Sequence, residues 1–144
     1  MENLTSLLIV DDNPQFLQTI SEYLRDHFPQ SIHIVGTAEN GQNAVKQVIA
    51  HLPKVVLLDM KMPDLHGFDV IPLMRQNHLA IKIILTTLLP TEVYAESADV
   101  YEQSAKFAGA NAFIPKSLLT TRLIPLIADV LNQKSLRFVS LEKE

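Results

Sequence analysis

The chain has 144 residues, 47% of them apolar and 19% charged, a balance that fits a folded globular domain and excludes a disordered one. A net charge of −4 without any Lys/Arg cluster argues against direct nucleic-acid binding, and the lack of cysteine excludes disulfides and thiolate metal sites. No apolar run approaches the ~18 residues of a membrane span, and the opening MENLTSLLIVDD has no basic signal-peptide start, so a soluble cytoplasmic protein is expected.

In chain order, the first apolar run is LLIV (7–10), which ends in Asp11 and Asp12. A helix is predicted from Pro14 to about His27, with Phe16, Leu17, Ile20, Tyr23 and Leu24 on one face and Asn13 as its cap. IHIV (32–35) follows, and then a helix over about 41–51 carrying Ala44, Val45, Val48 and Ile49. VVLL (55–58) delivers Asp59 to the turn MKMPDLHG. A third helix over about 67–77 contains Pro72, which would kink it or delay its start. IKIIL (81–85) leads to Thr86 and Thr87. The fourth helix presents Val93, Ser97, Val100, Tyr101, Ser104 and Ala108 and stops at Gly109. NAFI (111–114) is the last strand and leads to Lys116. A fifth helix runs from about Thr121 to Asn132, with Pro125 tolerable only near its beginning. Only QKSLRFVSLEKE reads as tail.

Strand and helix therefore alternate five times. Short apolar strands separated by crossover helices predict a doubly wound parallel α/β sheet covered on both faces. In such sheets function gathers beyond the carboxyl ends of the strands. Those ends deliver Asp11 and Asp12, Asp59, the Thr86–Thr87 pair and Lys116 to one rim.

Three converging carboxylates repel one another unless a cation neutralises them, and all-oxygen ligands point to Mg²⁺. A carboxylate can also accept a phosphoryl group as an acyl phosphate. Mg²⁺, Lys116 and a threonine hydroxyl would each take one phosphoryl oxygen, with Asp59 between them. Each residue also has a plainer reading. Asp11 and Asp12 suit a helix start, Lys116 could be a surface lysine, and Phe113 could be core. The five histidines have no ligand spacing, and Tyr94 and Tyr101 suit ordinary packing.

The ordered set LLIVDDNP, VVLLDMKMPDLHG, the Thr pair after IIL, and GANAFIPKS resembles the receiver domains of two-component response regulators, over residues 5–133. The resemblance implies the flavodoxin-like strand order 2-1-3-4-5. It also implies Asp59 as phosphoacceptor, Asp12 as direct and Asp11 as water-mediated Mg²⁺ ligand, and the main-chain carbonyl of Lys61 as a further ligand. Lys116 would hold the phosphoryl group, and Phe113 would report activation through its rotamer. Alignment from Asp59 favours Thr87 as the switch hydroxyl, with Thr86 as the alternate.

A sensor histidine kinase or phosphotransfer protein would be the donor, and a downstream protein or output domain would read the face formed by the fourth helix, fifth strand and fifth helix. A homodimer is possible. Catalysis would be limited to self-phosphorylation from small donors and autodephosphorylation. Two departures stand out: segment 88–103 is longer than the family norm, and Ser117 follows the lysine where a proline is common. Residues 134–144 would be a tail or the start of a linker. The competing readings are a pseudo-receiver acting by contact alone, a haloacid-dehalogenase-type phosphohydrolase and a nucleotide- or flavin-binding domain. Lys61, at the position of the dehalogenase general acid, opposes the second. The lack of a glycine-rich phosphate loop opposes the third.

Overall fold

The computed structural model describes residues 4–62, 67–89, 94–133 and 137–141. Strands β1 (Thr5–Val10), β2 (Ile32–Ala38), β3 (Val55–Asp59), β4 (Lys82–Thr87) and β5 (Ala112–Pro115) alternate with helices α1 (Pro14–His27), α2 (Gly41–His51), α3 (Gly67–Asn77), α4 (Tyr94–Phe107) and α5 (Leu119–Leu131). The strands form one parallel sheet in the order β2-β1-β3-β4-β5. This is the doubly wound α/β arrangement the alternation implies.

Strict alternation along buried strands divides the core in two. Leu8, Val10, Val56, Leu58, Ile83, Leu85 and Phe113 pack beneath Ala44 and Val48 of α2, Val70, Ile71 and Met74 of α3, and Ala105 of α4. Leu7, Ile9, Val55, Leu57, Ile84, Ala112 and Ile114 pack beneath Leu17, Ile20 and Leu24 of α1 and Leu123, Leu126, Ile127 and Val130 of α5. Each fully buried aliphatic side chain stabilises the fold by about 1.5–3 kcal/mol. The central strands read as unbroken apolar runs because both of their faces are covered.

Local chemistry fixes the helix ends. Asn13 Oδ1 accepts from the backbone N–H groups of Gln15 (3.0 Å) and Phe16 (3.3 Å), and Pro14 occupies the first helical position, where no donor is needed. Asn40 caps α2 through the Asn43 N–H. Gly109, at φ +93°, closes α4: Ala110 N–H bonds Ala105 O and Gly109 N–H bonds Lys106 O, the paired bonds of a left-handed helix stop.

The structure departs from the sequence expectations at several places. Ile49 and Val100 lie outside the core, at 54% and 64% exposure, because the buried stripes of α2 and α4 are narrower than their apolar content. On α4 the inward positions are Ala105, with Tyr101, Ser104 and Ala108 half-buried. Helix α3 runs through Pro72, which is exposed, without a delayed start. Helix α5 begins earlier than expected, at Leu119, following a 3-10 turn over Lys116–Leu118. Pro125 is therefore inside α5 rather than near its beginning. It sits on the exposed side, where water can satisfy the carbonyl its missing N–H leaves free.

Residues 137–141 are not a free tail. Val139 pairs in parallel with Ala112 and donates its N–H to Asn111 O (2.8 Å), covering the edge of β5. Phe138 packs on one core, Val139 and Leu141 on the other, and Ser140 Oγ donates to Glu102 Oε2 (3.2 Å). Residues 90–93 lie outside the described residues, as do the side chains of 94–98, so Val93 and Ser97 have no assigned surroundings. His66 also lies outside them. His27, His33 and His51 are exposed, and His78 bonds Pro53 O (2.9 Å). No described helix is long and apolar enough to cross a membrane.

Candidate functional site

The carboxyl ends of β1, β3, β4 and β5 bring Asp11, Asp59, Thr86, Thr87 and Lys116 to one rim. Asp11 follows β1 and is wholly buried, because the chain turns there into the α1 cap. Its Oδ1 accepts the Asn13 N–H (2.9 Å), and its Oδ2 meets the Lys116 ammonium (2.7 Å). Lys116 also stands over the Phe16 ring, 4.3 Å from its centroid. Sequence reasoning missed that second support, assigning Phe16 only to the packed face of its helix. Asp12 is exposed beside them.

Asp59 ends β3 at 5% exposure, and its Oδ1 accepts the Lys61 N–H (3.3 Å). Its carboxyl is pushed up from 3.8 to about 6. Burial is the main cause, followed by the negative charge of Asp11. Lys116 and the Lys61 N–H pull the other way, and Asp12 adds a further upward push.

One ligand oxygen from each of Asp11, Asp12 and Asp59 lies within 4.8 Å of the others. The donors are all hard oxygens, two buried and one open to water. This set fits a divalent cation of the Mg²⁺ kind, which retains several waters. The residues present therefore suit the metal that the sequence reading expected.

The threonines separate by strand parity. Thr86 pairs in register with Asp59 and gives its hydroxyl proton to Ile114 O (2.5 Å), so that hydroxyl serves the sheet. Thr87, which alignment favours, falls on the face opposite Asp59, the one that carries Phe113, so the register places the alternate Thr86 beside Asp59 instead; the Thr87 hydroxyl has no hydrogen bond to any described residue. Phe113 is buried and stacks on Tyr101 of α4, with centroids 6.0 Å apart and planes 11° from parallel. The Lys61 side chain reaches the same tyrosine: Nζ donates to Oη (2.9 Å) and stands 5.1 Å from the ring centroid. Nothing in the sequence pairs Lys61 with Tyr101, forty residues on.

The chain matches the response regulator receiver domain model over residues 7–128. Among curated relatives, the probable transcriptional regulatory protein NarL of Mycobacterium tuberculosis is 30% identical over 123 residues, covering 85% of this chain and 53% of that protein. The transcriptional regulatory protein PdtaR of the same organism is 30% identical over 121 residues, covering 84% of this chain and 54% of that one. This chain thus spans about half the length of these relatives. Among solved structures, the signal receiver domain of the putative response regulator NarL from Mycobacterium tuberculosis has a TM-score of 0.75 at 28% identity, covering 92% of this chain and 100% of that one. A LuxR-family DNA-binding response regulator from Staphylococcus aureus has a TM-score of 0.72 at 29% identity, covering 90% and 100%.

Proposed function

This chain belongs to the response regulator receiver domain family of two-component signalling, and from that premise we propose that it is switched by accepting a phosphoryl group on Asp59. The observation that carries the reading is the crowding of the buried Asp59 carboxylate, at the end of β3, by two further acids beside the Lys116 ammonium.

The donor would be a phosphohistidine on a sensor kinase or phosphotransfer protein. An Asp59 carboxylate oxygen attacks phosphorus, an O–P bond forms, and the N–P bond breaks with its electron pair returning to the imidazole. Asp59 must be ionised to attack, and with its carboxyl at about 6 it is mostly so at neutral pH. Asp11, Asp12, Asp59 and the Lys61 main-chain carbonyl would hold Mg²⁺. When bound, the metal supplies positive charge to the acids and to a phosphoryl oxygen.

Lys116 must exchange its Asp11 partner for a phosphoryl oxygen, a short swing for a flexible ammonium. Thr86 shares the face of Asp59 in register and is the better placed hydroxyl for a further oxygen, for which it would give up Ile114 O. Drawing Thr86 toward that oxygen would free Ile114 O of β5 and bias the α4–β5 face, which completes a two-state switch. Residues 5–133 would form the receiver, against which residues 137–141 dock at the edge of β5. The pseudo-receiver alternative has no specific observation in its favour.

Incubating the chain with a radiolabelled phosphohistidine domain and Mg²⁺ tests this. Label should move to wild type and not to Asp59→Asn; retention of label on the donor in both cases would reject the reading.

A further inference from the structure

Lys61 and Tyr101 join the phosphoacceptor strand to α4 through side chains that the proposed transfer does not use. Lys61 stands two residues after Asp59, and its backbone N–H already touches the Asp59 carboxylate. Its ammonium is held on the hydroxyl and ring of Tyr101, and Tyr101 lies flat against Phe113, three residues before Lys116. The route from Asp59 therefore runs through Lys61, Tyr101 and Phe113 along β5 and back to the site at Lys116.

We infer that Tyr101 is a positioning residue for the Asp59 site: it holds the Lys61 ammonium on α4, and a phosphoryl group on Asp59 takes that ammonium away from it. The inference rests on the phosphoacceptor reading and adds a specific competition to it.

Charge balance supplies the driving force. Without the phosphoryl group, three carboxylates face Lys116 and a divalent cation, and the charges cancel. Replacing the Asp59 carboxylate by an acyl phosphate raises its charge from one to about two negative. About one negative charge is then unbalanced in a largely buried site. Of the described cations, Lys61 is the one whose backbone already contacts Asp59. It is exposed and carried on a flexible stem, so it can turn at little cost. A hydrogen bond to a charged phosphoryl oxygen is stronger than one to a neutral phenol. Tyr101 left without its lysine keeps its core packing and the Phe113 stack, so α4 loses one tie to the site.

The test is the affinity of the full chain for the phosphoryl mimic beryllofluoride at fixed Mg²⁺, measured by titration calorimetry. The variants are Tyr101→Phe, Lys61→Met and the double substitution. Tyr101→Phe keeps the ring and its stack while deleting the competing hydroxyl. It should tighten beryllofluoride binding by about threefold to tenfold, the range of one net hydrogen bond. Lys61→Met should weaken binding, and adding Tyr101→Phe to it should change nothing further. Equal affinity of Tyr101→Phe and wild type, or the same gain with Lys61 absent, would overturn the inference and leave Tyr101 a packing residue. Wild type failing to bind the mimic, or Asp59→Asn binding it equally, would instead reject the phosphoacceptor reading, and this inference with it.

Discussion

Replacing Asp59 by Asn should stabilise the fold at neutral pH, against the usual expectation for a buried polar position. The Asp59 carboxyl is raised from 3.8 to about 6, chiefly by burial and then by Asp11. In the unfolded chain it titrates near its ordinary value, so between about pH 4 and 6 the folded state binds more protons. Stability is therefore greatest below pH 4 with respect to this group, falls as pH rises through about 6, and levels off above. The ceiling on that loss is about 3 kcal/mol. Water at the open rim beside exposed Asp12 screens the charge and reduces it to about 1–2 kcal/mol. Asn keeps the shape and removes the charge, so the variant should gain this amount at pH 7.5 and almost none at pH 4. Urea denaturation of both proteins at the two values, without divalent cation, measures the difference, and contributions from other groups cancel in it. Mg²⁺ should narrow the gap by stabilising wild type more than the variant. An Asp59→Asn protein no more stable than wild type at pH 7.5, or a gain independent of pH, would refute the reasoning.

Three further outcomes follow from the same contacts. Lys116→Met strands the buried Asp11 carboxylate and should cost about 2–4 kcal/mol in urea melts without Mg²⁺, a loss that added Mg²⁺ partly restores. Asn13→Ala removes the acceptor for two N–H groups of α1 and should cost about 1 kcal/mol, read in the same melts. Arg75 donates to Ile81 O, Gly109 O and Asn111 Oδ1, tying α3 to the starts of β4 and β5. Arg75→Met should cost about 2–4 kcal/mol by thermal denaturation, with phosphoryl acceptance at the distant rim retained.

The strands were legible because their apolar runs are buried on both faces, and the acids stood out because each ends such a run. LLIV followed by Asp11 and Asp12, and VVLL followed by Asp59, place charge where packing alone would not. The helices were less legible in detail. Apolar content at Ile49 and Val100 exceeds the stripe each helix buries, so periodicity alone overestimates the core. Pro125 was misread because its cost depends on whether the freed carbonyl faces water, which sequence does not reveal. Alignment favours Thr87, but strand alternation turns Thr86 and Thr87 opposite ways, and only the register with Asp59 says which of them shares its face. The docking of Phe138, Val139 and Leu141 on β5 was hidden by the polar and charged residues around them. The Lys61–Tyr101 contact depends on where α4 sits, a tertiary fact without local signal.

The most direct test of Asp59 as phosphoacceptor is intact-mass spectrometry after incubation with a small phosphodonor and Mg²⁺, for wild type and Asp59→Asn. A gain of one phosphoryl group in wild type alone, lost on treatment with hydroxylamine, is the predicted result. No gain in a wild-type protein shown to bind Mg²⁺, or an equal gain in Asp59→Asn, would contradict it.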